Sequence, residues 1–192
     1  MISIAFLLFI VLDPFGNLVT LNTLLRDHEP RKRRRILLRE SLIALCILLI
    51  SAFAGGPVLG ALGLHAYALG IAGGIVLFMI ALGMLFPARR VVDGDSLDDP
   101  LIVPIAMPLI AGPSAISIVT VLAEKHPVMT VAAAVSMASL TATAILLVSP
   151  AIYGFLGRRG TLALERLMGM LLVMLSVQMI LDGIDAYLTS RG

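Results

Sequence analysis

The chain has 192 residues, 59% of them hydrophobic and only 14% charged, and its net charge is +2. Soluble domains carry nearer a quarter charged residues, so this composition excludes an ordinary soluble enzyme and predicts a membrane protein. The single cysteine, Cys46, excludes an intrachain disulfide and is expected to be an inert thiol packed within an apolar helix.

The first apolar stretch covers residues 2–25. Met1-Ile2-Ser3 lacks the basic start of a secretory signal and no A-x-A site follows, so a retained span is expected. Asp13-Pro14-Phe15-Gly16-Asn17 stands in its middle. Pro14 has no amide hydrogen and crowds the carbonyl of Ile10, which opens the helical ladder. An ionised aspartate near the bilayer centre costs at least ~2.5–3.5 kcal/mol, so Asp13 should face the interior, paired or protonated. Two functional roles fit it: a counter-charge for a substrate ammonium, or a site for a coupling proton. Alternatively Asp13 caps the half-helix beyond the break and Asn17 hydrogen-bonds a neighbouring span. Thr20, Asn22 and Thr23 are expected to serve packing.

Arg26, Arg31, Lys32, Arg33, Arg34, Arg35 and Arg39 follow. Hydrophobic stretches flank this run closely, which favours a topology signal over nucleic-acid binding. Further spans are predicted at 41–63, 68–87, 101–123, 128–154 and 164–188, each near the about 20 residues that a ~30 Å hydrocarbon core requires. Gly70, Gly73 and Gly74 give the third span a small-residue face for close helix packing. The linker at 88–100 carries an acidic run, Asp93 to Asp99. It fails as a calcium loop because Leu97 stands at a ligand position and no closing glutamate follows. Asp99-Pro100 has the form of a helix start.

The fourth span is interrupted at Ala111-Gly112-Pro113-Ser114, where Pro113 opens the ladder at Leu109. Ser114 and Ser117 either line the same cavity as Asp13 or let helices approach closely. Ser136, Ser139, Thr141 and Thr143 are expected to pack the fifth span. Gln178 lies inside the sixth span, within reach of a central cavity, while Asp182 and Asp185 lie nearer its end and snorkel to the interface. His28, His65 and His126 fall in connecting segments without ligand spacing, and neither a metal site nor a cofactor is expected.

Twelve basic residues fall in the loops after spans 1, 3 and 5, against Lys125 and Arg191 on the other side. The positive-inside rule then places both termini outside. An offset of 99 residues superposes Pro14 on Pro113, Gly55 on Gly154 and Gly70 on Gly169. The expected fold is therefore all-α: one polytopic membrane domain over 1–192, six transmembrane helices as two inverted three-helix repeats (about 1–90 and 100–190), with helices 1 and 4 broken. Paired interruptions in inverted halves point to a transporter site. Half-helix amide groups would face a substrate carboxylate there. The candidate substrate-binding residues are Asp13, Pro14, Phe15, Gly16, Asn17, Gly112, Pro113, Ser114, Ser117 and Gln178, with Asp13 also the candidate coupling residue.

Three motifs resemble those of the MarC membrane protein family, also called the SnatA-like neutral amino acid transporters. They are DPFGNLVTLNTLL (13–25), PLIAGPSAIS (108–117) and LERLMGMLLVMLSVQMILDGI (164–184). Val19 departs from the first signature, where the family commonly has a second proline, which puts a second bend there in doubt. The resemblance covers essentially the whole chain. It implies a six-span protein of a bacterial-type inner membrane, related to LysE-type exporters. It also implies transport of small neutral amino acids such as glycine and alanine, by export or with proton coupling. The expected partners are thus such a substrate, protons and the lipid bilayer; nucleic acid is not among them, and homo-oligomerisation is compatible. No phosphate-binding G-x-x-x-x-G-K-[ST] motif is present, so an ion gradient or the substrate's own gradient would drive transport. The alternatives are a channel or a non-transporting membrane scaffold. An intramembrane aspartyl protease ranks behind both, because Asp13 and Asp182, its available pair, lie at different expected depths and lack a G-x-G-D motif.

Overall fold

A computed structural model describes residues 1–25, 29–86 and 111–190. Six helices account for nearly all of them: α1 (Ile2–Leu12), α2 (Asn17–Leu24), α3 (Pro30–Ala61), α4 (Ala66–Leu85), α5 (Pro113–Lys125) and α6 (Val128–Thr189). Several expectations lie outside the described residues: the linker at 88–100 with its acidic run and the Asp99-Pro100 start, the part of the fourth span at 101–110, and Arg26, His28, Arg89, Arg90 and Arg191. So do the side chains of Thr20 and Thr23.

Helices α3, α4 and α6 are each long and apolar enough to cross a membrane. The two short helices α1 and α2 divide the first predicted span between them, and α5 forms the second part of the fourth. At 62 residues α6 would be about 93 Å long if straight, three times the hydrocarbon core. Gly157 interrupts it with φ 63° and ψ 178°, a conformation essentially confined to glycine, and so divides it into legs at 128–156 and 158–189. The expected gap between the spans at 128–154 and 164–188 thus narrows to one residue, and Arg158 through Gly160 are already helical.

The helix that carries the second predicted span begins at Pro30, ahead of the span's expected start at 41. Proline is preorganised for the first helical turn, and the Arg/Lys run behind it consists of good helix formers. The basic segment is therefore mostly the first turns of α3 rather than a loop.

Helix α4 packs along the second leg of α6 in antiparallel register. A Cβ on Gly74 would meet the carbonyl oxygen of Ser176 at 3.0 Å, one on Gly169 that of Ala81 at 3.3 Å, and one on Gly183 that of Tyr67 at 3.0 Å. The positions on α4 rise by seven as those on α6 fall by seven, so small residues recur on one seam and bring the backbones together. The main core joins α1, α3, α5 and the first leg of α6 through Leu8, Leu12, Leu37, Leu48, Val119 and Val131. Outward faces are apolar as well: Phe6 is 64% exposed, Met79 68% and Phe155 91%, which a water-soluble fold would not sustain but hydrocarbon accepts. Cys46 is exposed on α3, so the expectation of a packed thiol is corrected; the buried stripe of that helix runs through Ala44 and Leu48 instead.

Candidate substrate site

Helix α1 ends because Pro14 cannot continue it, and Asp13 takes the left-handed conformation (φ 42°, ψ 60°). It is the only non-glycine residue with positive φ among those described, and aspartate is one of the few side chains that tolerate it. The Asp13 amide donates to the carbonyls of Phe9 (3.2 Å) and Ile10 (3.1 Å). Its carboxylate Oδ1 accepts from the Gly16 amide at 3.0 Å, and its carbonyl accepts from the Asn17 amide at 3.2 Å. Asn17 Nδ2 donates to the Leu12 carbonyl at 3.3 Å. The groups released by the break are thus paired again locally, which is what allows irregular backbone inside an apolar bundle.

Asp13 is only 6% exposed. The absence of a side chain on Gly16 makes room for it: a Cβ there would overlap both the Asp13 carboxylate and the Met84 methyl group. Pro14 is buried beside it, and the Phe15 ring meets Phe9 edge to face at 6.0 Å.

At the second break, Gly112 is buried in extended backbone and Pro113 opens α5. Ser114 is buried, whereas Pro113 is exposed and turned away from the interior. Ser117 is buried and donates to the Leu69 carbonyl of α4 at 2.6 Å. It lies against Gly73, whose missing Cβ it displaces, so its visible role is close helix packing. The flanks of the two breaks come together: Leu12, next to Asp13, and Ala115, next to Ser114, line one small void with Leu8, Leu48, Val119 and Val135. That void has no room for water, and its walls are apolar.

Gln178 stands apart from the other nine candidates. It is exposed and donates to Asp182 Oδ1 at 2.7 Å. It lines a cavity of about 470 Å³ between α4, α5 and the second leg of α6, which also touches α1. The mouth carries Lys125, Glu124, His65 and Tyr67; His65 stacks on Tyr67 with ring centroids 4.9 Å apart. Leu7 is the α1 residue on this cavity, six positions before Asp13 and so about 9 Å away along a helix.

Two polar groupings were not foreseen from sequence. Arg33 Nη2 donates to Asn22 Oδ1 at 2.6 Å and to Ser149 Oγ at 2.9 Å, joining α2, α3 and α6. Glu40 is wholly buried on α3, held by Arg39 at 2.8 Å, and its Oε2 has no hydrogen-bond partner among the described residues. Helical spacing would have found it: Leu37, Glu40, Ser41, Ala44 and Leu48 form one buried stripe, but only if α3 is started at Pro30.

Helices too long and apolar for a soluble fold, with a first membrane segment interrupted inside the bundle, define a polytopic helical membrane protein. The chain belongs to the MarC family: the model described as MarC family integral membrane protein matches residues 1–188. It is 41% identical over 194 positions to the UPF0056 inner membrane protein YhgN of Escherichia coli (strain K12), covering 97% of each chain. A UPF0056 membrane protein of Buchnera aphidicola subsp. Baizongia pistaciae is 40% identical over 192 positions, covering 97% of this chain and 96% of the relative. One from Methanocaldococcus jannaschii is 33% identical over 190 positions, covering 92% and 83%. No solved structure matches the chain.

Proposed function

We propose that this MarC protein is a secondary transporter of small neutral amino acids such as glycine and alanine, not an enzyme. It would work by alternating access, with six spans in two inverted halves, both termini outside and Asp13 at its centre. The observation that carries this reading is the interruption between α1 and α2: a buried carboxylate in left-handed backbone, with the amides of Asp13, Gly16 and Asn17 re-paired around it. Maintaining an acidic group there is costly, and intramembrane ionisable residues of this kind mark substrate or proton pathways.

The 470 Å³ cavity enters from the face holding Lys125 and His65 and stops short of Asp13. At the Arg33 end, hydrogen bonds among Asn22, Arg33 and Ser149 tie three helices together beside a smaller cavity of about 290 Å³ lined by Arg33, Leu37, Leu147 and Pro150. By the charge rule the first face is the outer one.

The test is uptake of labelled alanine and glycine into proteoliposomes, with and without a pH gradient, for wild type and Asp13→Asn. Asparagine keeps the acceptor for the Gly16 amide and tolerates left-handed backbone, so the substitution removes the charge and little else. We expect Asp13→Asn to abolish acceleration by the pH gradient and to lower uptake at least tenfold. Unchanged uptake with unchanged pH dependence would remove Asp13 from the mechanism.

A further inference from the structure

The cavity at the Lys125 face is far larger than glycine or alanine needs. Its 470 Å³ compares with roughly 30 Å³ for one water, about the bulk of alanine's methyl group. On α6 it is lined by Leu175, Gln178, Met179, Asp182, Gly183 and Ala186, a single helical face that extends about 16 Å along the axis. The interior is apolar, from Leu7, Ile118, Val121, Leu122, Leu175 and Met179. Charge gathers at the mouth. Lys125 closes α5 beside Glu124, and Asp182 on α6 lines the same cavity with one oxygen bonded by Gln178. Neither Lys125 nor Asp182 makes an ion pair among the described residues.

Gly70 is the wall residue that keeps the middle of the cavity wide. A Cβ there would have Val121 Cγ2 at 4.0 Å as its nearest neighbour. Its neighbours on the stripe behave differently: at Gly73 the space is taken by Ser117, and at Gly74 by Ile180 and the Ser176 carbonyl. Close helix packing therefore explains Gly73 and Gly74, while the space beside Gly70 belongs to the cavity.

We propose that this cavity is a binding site for an amino acid zwitterion with a bulky aliphatic side chain, of the leucine or isoleucine class. The side chain enters the apolar interior, the carboxylate faces Lys125 and the ammonium faces the Asp182–Gln178 pair. An apolar chamber with a few polar groups fixed at one end is the usual form of a small-molecule site. The site extends the substrate range beyond glycine and alanine and stands before Asp13 on the route inward. Its place on a transport route rests on the function proposed above; its occupancy does not.

The test is ligand binding by the purified full chain in detergent, read by thermal shift and calorimetry with L-leucine, L-alanine and leucinol, which lacks the carboxylate. L-leucine should bind wild type at least tenfold more tightly than alanine, and leucinol should bind weakly. Gly70→Leu starts from a Cβ whose nearest neighbour is Val121 Cγ2 at 4.0 Å, adds bulk on the cavity wall and adds helix propensity, so its ligand-free melting temperature should hold or rise while leucine affinity falls tenfold or more. Lys125→Gln should weaken leucine about tenfold and leave leucinol unchanged. Leucine affinity that is absent in wild type, or unmoved by both substitutions, overturns the proposal. Alanine uptake by wild-type proteoliposomes is scored separately: leucine binding without uptake contradicts the transport function and leaves the site standing, and uptake without leucine binding does the reverse.

Discussion

Asp13 does two structural jobs with one residue. Its backbone closes α1 by accepting left-handed geometry, and its carboxylate caps the turn that starts α2. Gly16 is the partner that makes this fit. Gly16→Ala should push the carboxylate and Met84 aside and cost about 1–3 kcal/mol, which in a chain of this size lowers the melting temperature by on the order of 5 °C. Gly70→Ala, whose Cβ would make only an ordinary contact with Val121, is the control and should not lower it. A thermal melt of both variants in detergent checks this, and equal melting temperatures would mean that Asp13 has room to spare. These residues were legible in the sequence because their cause is local: an acid, a proline and a glycine inside an apolar run admit few conformations. Gln178 was expected within reach of a central cavity, and the direction of its helical face sets it on the chamber beside Lys125.

Among the elements, α3 was the hardest to read. A run of arginines looks like a loop at a membrane surface, yet Pro30 starts a helix and the basic residues continue it. That extension brings Arg33 to Asn22 and Ser149 and puts Glu40 on the buried stripe, so one misplaced boundary hid both groupings. The tie at Arg33 should be measurable. Arg33→Ala leaves the oxygens of Asn22 and wholly buried Ser149 without their charged donor, a loss of about 1–3 kcal/mol. Exposed Arg34→Ala on the next position should stay within about 0.5 kcal/mol of wild type. Equal stability of the two variants would show that the three helices need no such tie. By contrast, the glycine face of α4 was readable from spacing as a seam for close helix packing, which Gly73 and Gly74 serve, while the place of Gly70 on the cavity wall was not.

At the scale of the whole molecule, membrane character was plain from composition, and the MarC motifs announced the family. What composition could not supply is the interior: a chamber of about 470 Å³ beside Lys125, a dry apolar contact where Leu12 and Ala115 meet, and a smaller cavity beside the hydrogen-bonded Arg33. A channel needs a continuous path, whereas a carrier needs a closed barrier that moves with its substrate. Solute counterflow separates them most directly. Proteoliposomes loaded with excess unlabelled alanine and diluted into a trace of labelled alanine should accumulate label transiently above equilibrium. Label that only equilibrates, at a rate indifferent to the internal alanine, would contradict the carrier account.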